Sequence, residues 1–323
     1  MVTLDFASIY YPYFGKLLDG RHTSDGVELI WHYVSPPDTL FRQVIESAPY
    51  DLAEMSLSAY TMLRDRGWDK YIALPIFTLR RFRHSALYVK TDSQIFSGEQ
   101  LAGKRVGLPE YHMTAAVWVR GMLEEDFQVK PQDVQWFTGG AERPGRVERV
   151  ELPAKIAAQV HPIGPDETLF NMLLDDRLDA VMCAHTPPLA RKEPAPIRCL
   201  FPDCREVEKK YYLKHRIFPP MHTLVLKRGR FRDEKEIAEK IHRALTTLKQ
   251  EFYEKVEMMK SSPVFPWIDV YIDEIENMMG KDPWAHGIRE NARALNKFLH
   301  YSYSQGLIQK KPELHEIFID LDG

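Results

Sequence analysis

The chain contains 323 residues, a length that predicts two domains rather than one. Lys and Arg total 43 against 46 Asp and Glu, a net charge of -3, so the chain lacks the positive field that nucleic acids and anionic lipids attract. Apolar residues make up 44% and charged residues 28%, which is typical of a globular protein and excludes a disordered or fibrous chain.

The N-terminal segment MVTLDFASIYYPYFG has neither the basic region nor the apolar run of a signal peptide. No later stretch approaches the roughly 20 apolar residues of a membrane-spanning helix. We therefore expect a cytoplasmic protein that binds neither membranes nor nucleic acid. Its three cysteines, Cys183, Cys199 and Cys204, match no zinc or redox spacing and are expected to be reduced thiols.

The first part of the chain alternates between strand and helix patterns. Strands are predicted over 2–10, 27–34, 50–55 and 71–77, and helices over 38–47 and 56–67. Asp38 can cap the first helix, and Ser56 or Ser58 can cap the second, which ends at Gly67. This order predicts a mostly parallel sheet covered by helices.

A second α/β unit follows and leads into a helical end. Its strands are predicted over 84–90, 105–109, 134–138, 179–183 and 197–201, its helices over 115–127 and 166–177. After a further strand over 222–227, the pattern is helical over 233–259, 269–279, 285–305 and 312–318. The whole resembles the two-lobed type II periplasmic-binding-protein fold, with the C-terminal helices packing on lobe one. We expect lobe one to comprise residues 1–85 plus 222–323, lobe two the inserted residues 86–221, and a ligand cleft to lie between them.

Polar side chains follow three of these strands. Ligands of open α/β sheets bind beyond the carboxyl ends of the strands, beside helix N-termini. The candidates at such ends are Glu54, Ser56 and Ser58, then Glu110, Tyr111 and His112, and finally His185 and Thr186. We expect them to face the cleft, although a Glu at a helix N-terminus is also an ordinary partner of the helix dipole.

A cationic cluster, LRRFRH over 79–84, lies where the chain is expected to cross between the lobes. Arg80 and Arg83 are candidate anchors for a carboxylate, the alternative being a solvated basic strand edge. His84 beside them is a candidate proton donor, and His222, after FPPM, could reach the cleft from the other wall. Arg146, in the loop GGAERPGR, is a candidate gate residue. No GxSxG, HExxH or CxxC motif supports serine hydrolysis or HExxH-type zinc chemistry.

Longer strings carry a family resemblance. LAEMSLSAY, PIFTLRRFRHSALYV, LAGKRVGLPEYHMTAAVWVRGMLEEDFQVKPQDVQWFTGGAERPGR, FPPMH and QGL occur in this order and cover nearly the whole chain. The sequence thereby resembles the 4,5-dihydroxyphthalate decarboxylase family. The resemblance implies a cytoplasmic lyase of this fold that removes one carboxylate from a dihydroxylated phthalate. The positions shared with the family are Glu54, Ser56, Ser58, Arg80, Arg83, His84, Glu110, Tyr111, Arg146 and His222.

Two positions depart from the family pattern. Pro12 and Tyr13, after Tyr11, replace an Asp-Arg pair, and His112 replaces a Gln. Both departures lie where the cleft is expected, so Tyr11, Tyr13 and His112 join the substrate-binding candidates. The loss of one cation suggests a less anionic or differently substituted aromatic acid.

The implied reaction assigns roles to these residues. We expect Arg80 and Arg83 to anchor the carboxylate, His84 or His222 to protonate the ring carbon, and Glu110 or Glu54 to accept the phenol proton. No cofactor is expected, with a divalent metal held by Glu and His side chains as the second hypothesis. A non-catalytic cytoplasmic binding protein for a small aromatic or heterocyclic acid is the rival interpretation. The only partner predicted is a small aromatic carboxylate, and the sequence leaves a homo-oligomer open.

Overall fold

The computed structural model describes residues 1–321 and contains two six-stranded sheets. The strands are β1 (Val2–Ser8), β2 (Arg21–Ser24), β3 (Val27–Tyr33), β4 (Leu52–Ser56), β5 (Tyr71–Arg80), β6 (Leu87–Lys90), β7 (Arg105–Leu108), β8 (Gln135–Thr138), β9 (Val160–Pro162), β10 (Ala180–Met182), β11 (Ile197–Cys199) and β12 (Pro220–Lys227). The helices are α1 (Pro37–Glu46), α2 (Leu57–Asp65), α3 (Thr114–Phe127), α4 (Ala154–Ala157), α5 (Leu169–Leu174), α6 (Cys204–His215), α7 (Glu234–Ser261), α8 (Ile268–Met279), α9 (Ile288–Ser304) and α10 (Leu314–Ile317).

The first sheet has the strand order β2-β3-β1-β4-β12-β5. Strands β3, β1 and β4 run parallel, as the alternating pattern predicts, while β12 returns as an antiparallel strand between β4 and β5. This sheet and the helices α1, α2 and α7 form the first lobe. Pairing of β12 with β4 sets His222 opposite Ser56 and Leu224 opposite Glu54, so Glu54 and His222 are diagonal neighbours on one face of the sheet.

The second sheet has the order β11-β6-β10-β7-β8-β9, and with α3, α5 and α6 it forms the second lobe. Strands β10, β7, β8 and β9 are parallel, and β6 runs antiparallel to both of its neighbours, β10 and the edge strand β11. Both sheets are therefore mixed, with a parallel centre. The short strands β2 and β9, which the sequence pattern did not predict, extend the edges.

The chain leaves the first sheet after Arg80, enters the second at Leu87, and returns to the first at Pro220. The predicted lobe boundaries near 85 and 222 remain a prediction about domain organisation. Between the sheets, residues 84–86 form a 3-10 turn instead of the first part of the predicted strand 84–90. The turn changes the direction of the His84 side chain from the one that strand alternation predicts.

The C-terminal helices contact both lobes. Helix α7 packs against the 3-10 segment Pro12–Asp19 of the first lobe, burying Ile241, Leu245 and Leu248 in the core beside that sheet. Helix α9 packs on α3 of the second lobe, where the Tyr301 ring lies against Gly121 and Trp118. These contacts connect the end of the chain to the helix that starts at the cleft.

Cysteine chemistry differs from the expectation of three reduced thiols. Cys199 and Cys204 are joined in a disulfide, because the turn from β11 into α6 brings these nearby positions together, and Cys183 is the buried free thiol. No helix within residues 1–321 is both long enough and apolar enough to cross a bilayer.

Candidate functional site

A cleft of about 660 Å³ opens between the two sheets. The first lobe contributes Ile9, Phe41 and His222 to its wall, and the second contributes Thr114 and the loop that follows β8. Apolar and aromatic side chains such as Phe41, Met113 and Met221 form one part of the lining. The volume and the mixed lining suit a small aromatic ligand.

Basic side chains exceed acidic ones in this lining. The ionisable residues are Arg81, Arg83, Arg143, Arg146, Arg149, His185 and His222 on the basic side, and Asp38 and Glu142 on the acidic side. Guanidinium groups bind carboxylates through two parallel hydrogen bonds, a planar bidentate geometry that the ammonium group of a lysine cannot form. The cleft is thus suited to an aromatic anion with more than one negative group.

His222 and Glu54 form a hydrogen-bonded pair at the wall of the cleft. Nδ1 of His222 lies 2.7 Å from Oε1 of Glu54, and the ring packs edge-on against Phe41 with 4.9 Å between centroids. The Glu54 carboxylate is fully buried. Because Nδ1 is engaged, Nε2 is the ring nitrogen available to a ligand in the cleft.

Glu54 accepts further hydrogen bonds that hold it in place. Its Oε1 accepts from the Tyr11 hydroxyl at 2.5 Å and from Thr78 Oγ1 at 2.9 Å, and its Oε2 accepts from the Ile9 amide at 3.0 Å. Burial, followed by the charge of Glu54, holds the pKa of Tyr11 well above its usual range. Glu54 therefore acts on the site through His222, and its position does not fit the expected role of a phenol-proton acceptor.

Tyr11 and Tyr13 lie behind this pair rather than in the cleft lining. Their rings stack at 5.3 Å, and the Tyr13 hydroxyl donates to the carbonyl oxygen of Thr78. Pro12 begins the 3-10 segment that carries them. The expected direct contact of these tyrosines with substrate is not supported, because their hydroxyls are already engaged with Glu54 and the backbone of β5.

Arg80 does not face the cleft. Its guanidinium donates to the carbonyl oxygens of Phe218 and Ala285, at 3.1 and 3.0 Å, and to Oδ1 of Asn291. The adjacent residues of an extended segment point to opposite sides, and the cleft side is taken by Arg81. Arg80 instead joins β5 to the start of α9, so the expectation that it anchors substrate is wrong for this structure.

His84 is also withdrawn from the cleft. Its ring lies between Phe201 and Tyr211, with centroid distances of 5.7 and 5.2 Å, and burial lowers the pKa of His84 to about 4. The 3-10 turn at residues 84–86 directs it into this apolar packing. A ring so placed cannot donate a proton to a ligand in the cleft, which leaves His222 of the two candidates.

Arg83, by contrast, lies where it was expected. It lines the cleft, is nearly fully buried, and donates from Nη1 to the Ala184 carbonyl oxygen at 3.1 Å and from Nε to Met221 Sδ at 3.1 Å. Burial lowers the pKa of Arg83 to about 9, and the charge of Arg81 contributes in the same direction. Neither contact is with a carboxylate, so its charge is available to an anionic ligand.

Glu110 is a buried counter-ion of two arginines. Its Oε1 accepts from Arg146, at 2.8 Å from Nε and 2.5 Å from Nη2, and from Arg149 Nη2 at 2.6 Å. Burial alone would raise the pKa of Glu110, but the charges of His112, Arg149 and Arg146 together lower it. The carboxylate is outside the cleft lining. Its expected catalytic role as a phenol-proton acceptor therefore does not fit its position.

His112 connects Glu110 to a second carboxylate. Its Nδ1 lies 2.6 Å from Oε2 of Glu148, and its Nε2 lies 3.2 Å from Oε2 of Glu110. Tyr111, next to it, faces the opposite way, under the guanidinium of Arg120 at 3.6 Å. Both residues are buried, and neither reaches the cleft lining, contrary to the expectation that they bind substrate.

The atoms of Glu110, His112 and Glu148 are close enough to be considered as ligands of a metal ion. The chemistry of the donor set does not favour this. Nδ1 of His112 is already engaged by Glu148, and Oε1 of Glu110 is bound by two guanidinium groups, whose charge repels a divalent cation. Nε2 of His112 and Oε2 of Glu110 lie 3.2 Å apart and are buried without a hydrogen-bond partner among residues 1–321. The arrangement is that of an ion-pair network supporting Arg146 and Arg149.

The serines lie at the junction between the lobes. Ser56 Oγ is 3.0 Å from Thr114 Oγ1 and accepts from the Ala59 amide, as the N-cap of α2. Thr114 Oγ1 also accepts from the Ser58 amide at 3.0 Å. Ser56 lines the cleft, whereas Ser58 is fully buried away from the lining.

Of the remaining predicted residues, Arg146 and His185 line the cleft, whereas Thr186 lies outside the lining. Arg146 bonds Asp38 across the lobes, with Nη1 2.8 Å from Oδ2. His185 Nε2 lies 3.2 Å from Oε2 of Glu142 in the loop after β8. These contacts place both residues at the mouth between the lobes.

Sequence reasoning missed five charged residues of the cleft lining: Arg81, Arg149, Asp38, Arg143 and Glu142. Arg81 follows Arg80 on the other side of an extended chain. Arg149 lies three residues after Arg146 in a loop with no regular period. Asp38 was interpreted as a helix cap, and it does lie in the first turn of α1, but no side-chain cap bond is formed and its carboxylate crosses to Arg146 instead.

The fold is similar to that of a known binding protein. The periplasmic aliphatic sulphonate binding protein SsuA from Escherichia coli superposes with a TM-score of 0.57 at 10% identity, covering 98% of this chain and 97% of that one. This likeness and the two flanked sheets identify a two-lobed, type II periplasmic-binding-protein-like fold. A comparison with protein-family profiles gave no match.

Sequence relatives are more specific. A 4,5-dihydroxyphthalate decarboxylase from Pseudomonas putida is 41% identical over 188 residues, 58% of this chain and 72% of the relative. Another, from Comamonas testosteroni, is 33% identical over 311 residues, 95% of this chain and 93% of the relative. With identity sustained over nearly the full length of both chains, this chain belongs to the 4,5-dihydroxyphthalate decarboxylase family.

Proposed function

We propose that this chain is a carboxy-lyase that decarboxylates a hydroxylated aromatic dicarboxylate of the 4,5-dihydroxyphthalate kind without an oxidant. The names of its two relatives support a decarboxylase, and the arginine-rich cleft supports an aromatic anion as its substrate. The observation that carries the proposal is His222, held by the buried Glu54 at the wall of that cleft.

Substrate binding is assigned to the arginines that line the cleft. Arg83 presents a guanidinium whose protein contacts are a carbonyl oxygen and a thioether. Arg146 and Arg149 face it from the second lobe. Anchors on both sides orient the ring, and the apolar wall at Phe41 and Met221 holds its face.

The chemical step is protonation of the ring carbon that bears the leaving carboxylate. Protonated His222 gives the proton from Nε2, and the hydroxyl para to this carbon stabilises the cation formed in the ring. The bond between ring carbon and carboxylate then breaks, carbon dioxide leaves, the electron pair restores the aromatic ring, and His222 takes up a proton from solvent. Glu54 keeps the imidazolium oriented and stabilises its charge.

The proposed step uses no cofactor. A divalent metal would have to act elsewhere than at Glu110, His112 and Glu148, where guanidinium groups compensate the carboxylate charge. Exhaustive chelation is therefore expected to leave turnover unchanged, and its loss with restoration by one added metal would overturn this part.

The test is incubation of the purified protein with phthalate, 4,5-dihydroxyphthalate and 3,4-dihydroxybenzoate. Released carbon dioxide and the aromatic product are measured together. Release from the dihydroxylated dicarboxylate, with none from phthalate, supports ring protonation assisted by the hydroxyl group.

The rival function is a non-catalytic binding protein for a small aromatic or heterocyclic acid, which the likeness in fold to a binding protein favours. The same panel, read by calorimetry, distinguishes the two functions. Binding of the dihydroxylated acid without any release of carbon dioxide would establish the rival.

A further inference from the structure

On the second-lobe side of the cleft, Arg146 and Arg149 each form ion pairs with two carboxylates, which differ in their exposure to solvent. Glu110 is 1% exposed and accepts from Arg146 and Arg149 at one oxygen. Asp38 is bound to the same two arginines, 2.8 Å from Arg146 Nη1 and 3.3 Å from Arg149 Nη2. The Asp38 side chain is 38% exposed, so the two counter-ions differ in how easily they can leave.

Glu110 belongs to a buried network of ion pairs. His112 contacts its second oxygen at 3.2 Å, and the arginines occupy the first. Its removal from this network would leave a buried charge unpaired, which is strongly destabilising. Glu110 therefore stays with the arginines whether or not a ligand is bound.

Asp38 can be displaced at little cost. It belongs to α1 of the first lobe, lines the cleft, and makes ion pairs in contact with solvent. Ion pairs in contact with solvent contribute little to stability. A carboxylate of a ligand would bring the same charge and geometry to the same guanidinium groups.

Arg149 has a hydrogen-bond donor, Nη1, that is unpaired within residues 1–321 on this side of the cleft. Its side chain is 7% exposed, and among residues 1–321 its Nη1 has no hydrogen-bond partner although the atom is buried. The residue lines the cleft, and the guanidinium lies over the Phe41 ring at 5.3 Å. A ligand carboxylate in place of Asp38 could satisfy this donor as well.

We propose that Asp38 is a specificity-determining residue that occupies the second carboxylate position of the cleft and must be displaced by the substrate. This inference rests on the proposed function, since it assigns one carboxylate of the dianion to Arg146 and Arg149. In the free protein, Asp38 competes with that carboxylate. A ligand with only one carboxylate binds elsewhere in the cleft and does not need the exchange.

The experiment measures the affinities of phthalate and benzoate by calorimetry for the wild-type protein and for Asp38→Asn. Neither probe carries the hydroxyl groups that decarboxylation needs, so binding is read without turnover. We expect phthalate to bind Asp38→Asn about three- to tenfold more tightly, with a smaller change for benzoate, so that the preference for the dicarboxylate increases. Glu46→Gln, which removes one negative charge from the far end of the same helix, is the matched control and should leave both affinities unchanged.

Asp38 also lies in the first turn of α1, so the melting temperature of each variant is recorded, and Asp38→Ser serves as a second variant compatible with a helix start. An unchanged or weaker affinity for phthalate in both folded variants would overturn the inference. Weakened binding of uncharged catechol by Asp38→Asn would also overturn it, by showing that Asp38 accepts a hydrogen bond from a ring hydroxyl. If phthalate binds none of the proteins, the proposed function fails, whereas equal binding to all of them refutes the role of Asp38 alone.

Discussion

The Nδ1 atom of His222 lies 2.7 Å from Oε1 of Glu54, a carboxylate with no exposure to solvent. The two residues lie on neighbouring antiparallel strands, β12 and β4, as diagonal neighbours in the register. A rigid sheet therefore fixes the orientation of His222, which the first lobe contributes to the cleft.

Replacement of His222 by Gln should remove the proton donor. We expect kcat to fall by about 10²- to 10⁴-fold, the usual contribution of general acid catalysis, with a smaller change in KM. The measurement is steady-state release of carbon dioxide from the dihydroxylated substrate. His32→Gln is the control, since His32 is a half-buried histidine of the same sheet, paired with Asp5 outside the cleft. A His222→Gln protein with normal turnover would require another acid.

Replacement by Gln should have different effects at Arg149 and at Arg80: a change in KM at the first and a change in stability at the second. Arg149→Gln removes a guanidinium from the cleft, and we expect KM to rise about tenfold or more, because a hydrogen bond to a charged group contributes about 1.5–3 kcal/mol.

Arg80→Gln should instead reduce stability. It leaves the carbonyl oxygen of Phe218 and Oδ1 of Asn291 without this donor, for which we expect a loss of about 1–3 kcal/mol in the free energy of unfolding, with KM changed less than about twofold. Urea titration and kinetics on the same samples check both variants. A large KM effect of Arg80→Gln would return Arg80 to the substrate-binding set.

His84 should make the protein less stable in acid. Burial lowers its pKa to about 4 in the folded chain, against about 6.5 when unfolded, so the unfolded chain binds more protons between these values. The stabilising effect of keeping the ring neutral is complete above pH 6.5 and is lost as the pH falls to 4. The loss amounts to about 3 kcal/mol.

His84→Phe keeps a ring between Phe201 and Tyr211 and cannot be protonated. Its free energy of unfolding, measured from pH 7 to pH 4, should fall less steeply than that of the wild type. Its kcat at pH 7 should be within about twofold of the wild-type value, since the ring lies outside the cleft. Parallel pH curves for the two proteins would contradict the burial argument.

The sequence was sufficient to predict the two α/β layers, because strand and helix periods are local and the hydrophobic faces are clear. It was also sufficient to place His222 near a strand end, and Arg83 and Arg146 near the cleft. The predictions that were wrong concern the direction in which a side chain points. A 3-10 turn rotates His84 away, and alternation along an extended chain exchanges the roles of Arg80 and Arg81. Which side of a strand faces the cleft depends on packing between distant elements, which no local pattern encodes.

Gly140 should be required for the shape of the loop that carries Arg146 and Arg149. A Cβ atom at this position would lie 1.6 Å from the carbonyl oxygen of Arg143, a backbone atom of the same tight turn. Gly140→Ala must therefore move the backbone of the loop. Misplacement of anchoring groups by about 1 Å can cost about 100-fold in rate, so we expect kcat/KM to fall by about this factor. Ala141→Ser adds one atom to the next residue without a clash at 140 and should retain wild-type kcat/KM. If both variants behave alike, the conformation of this turn is not what positions the arginines.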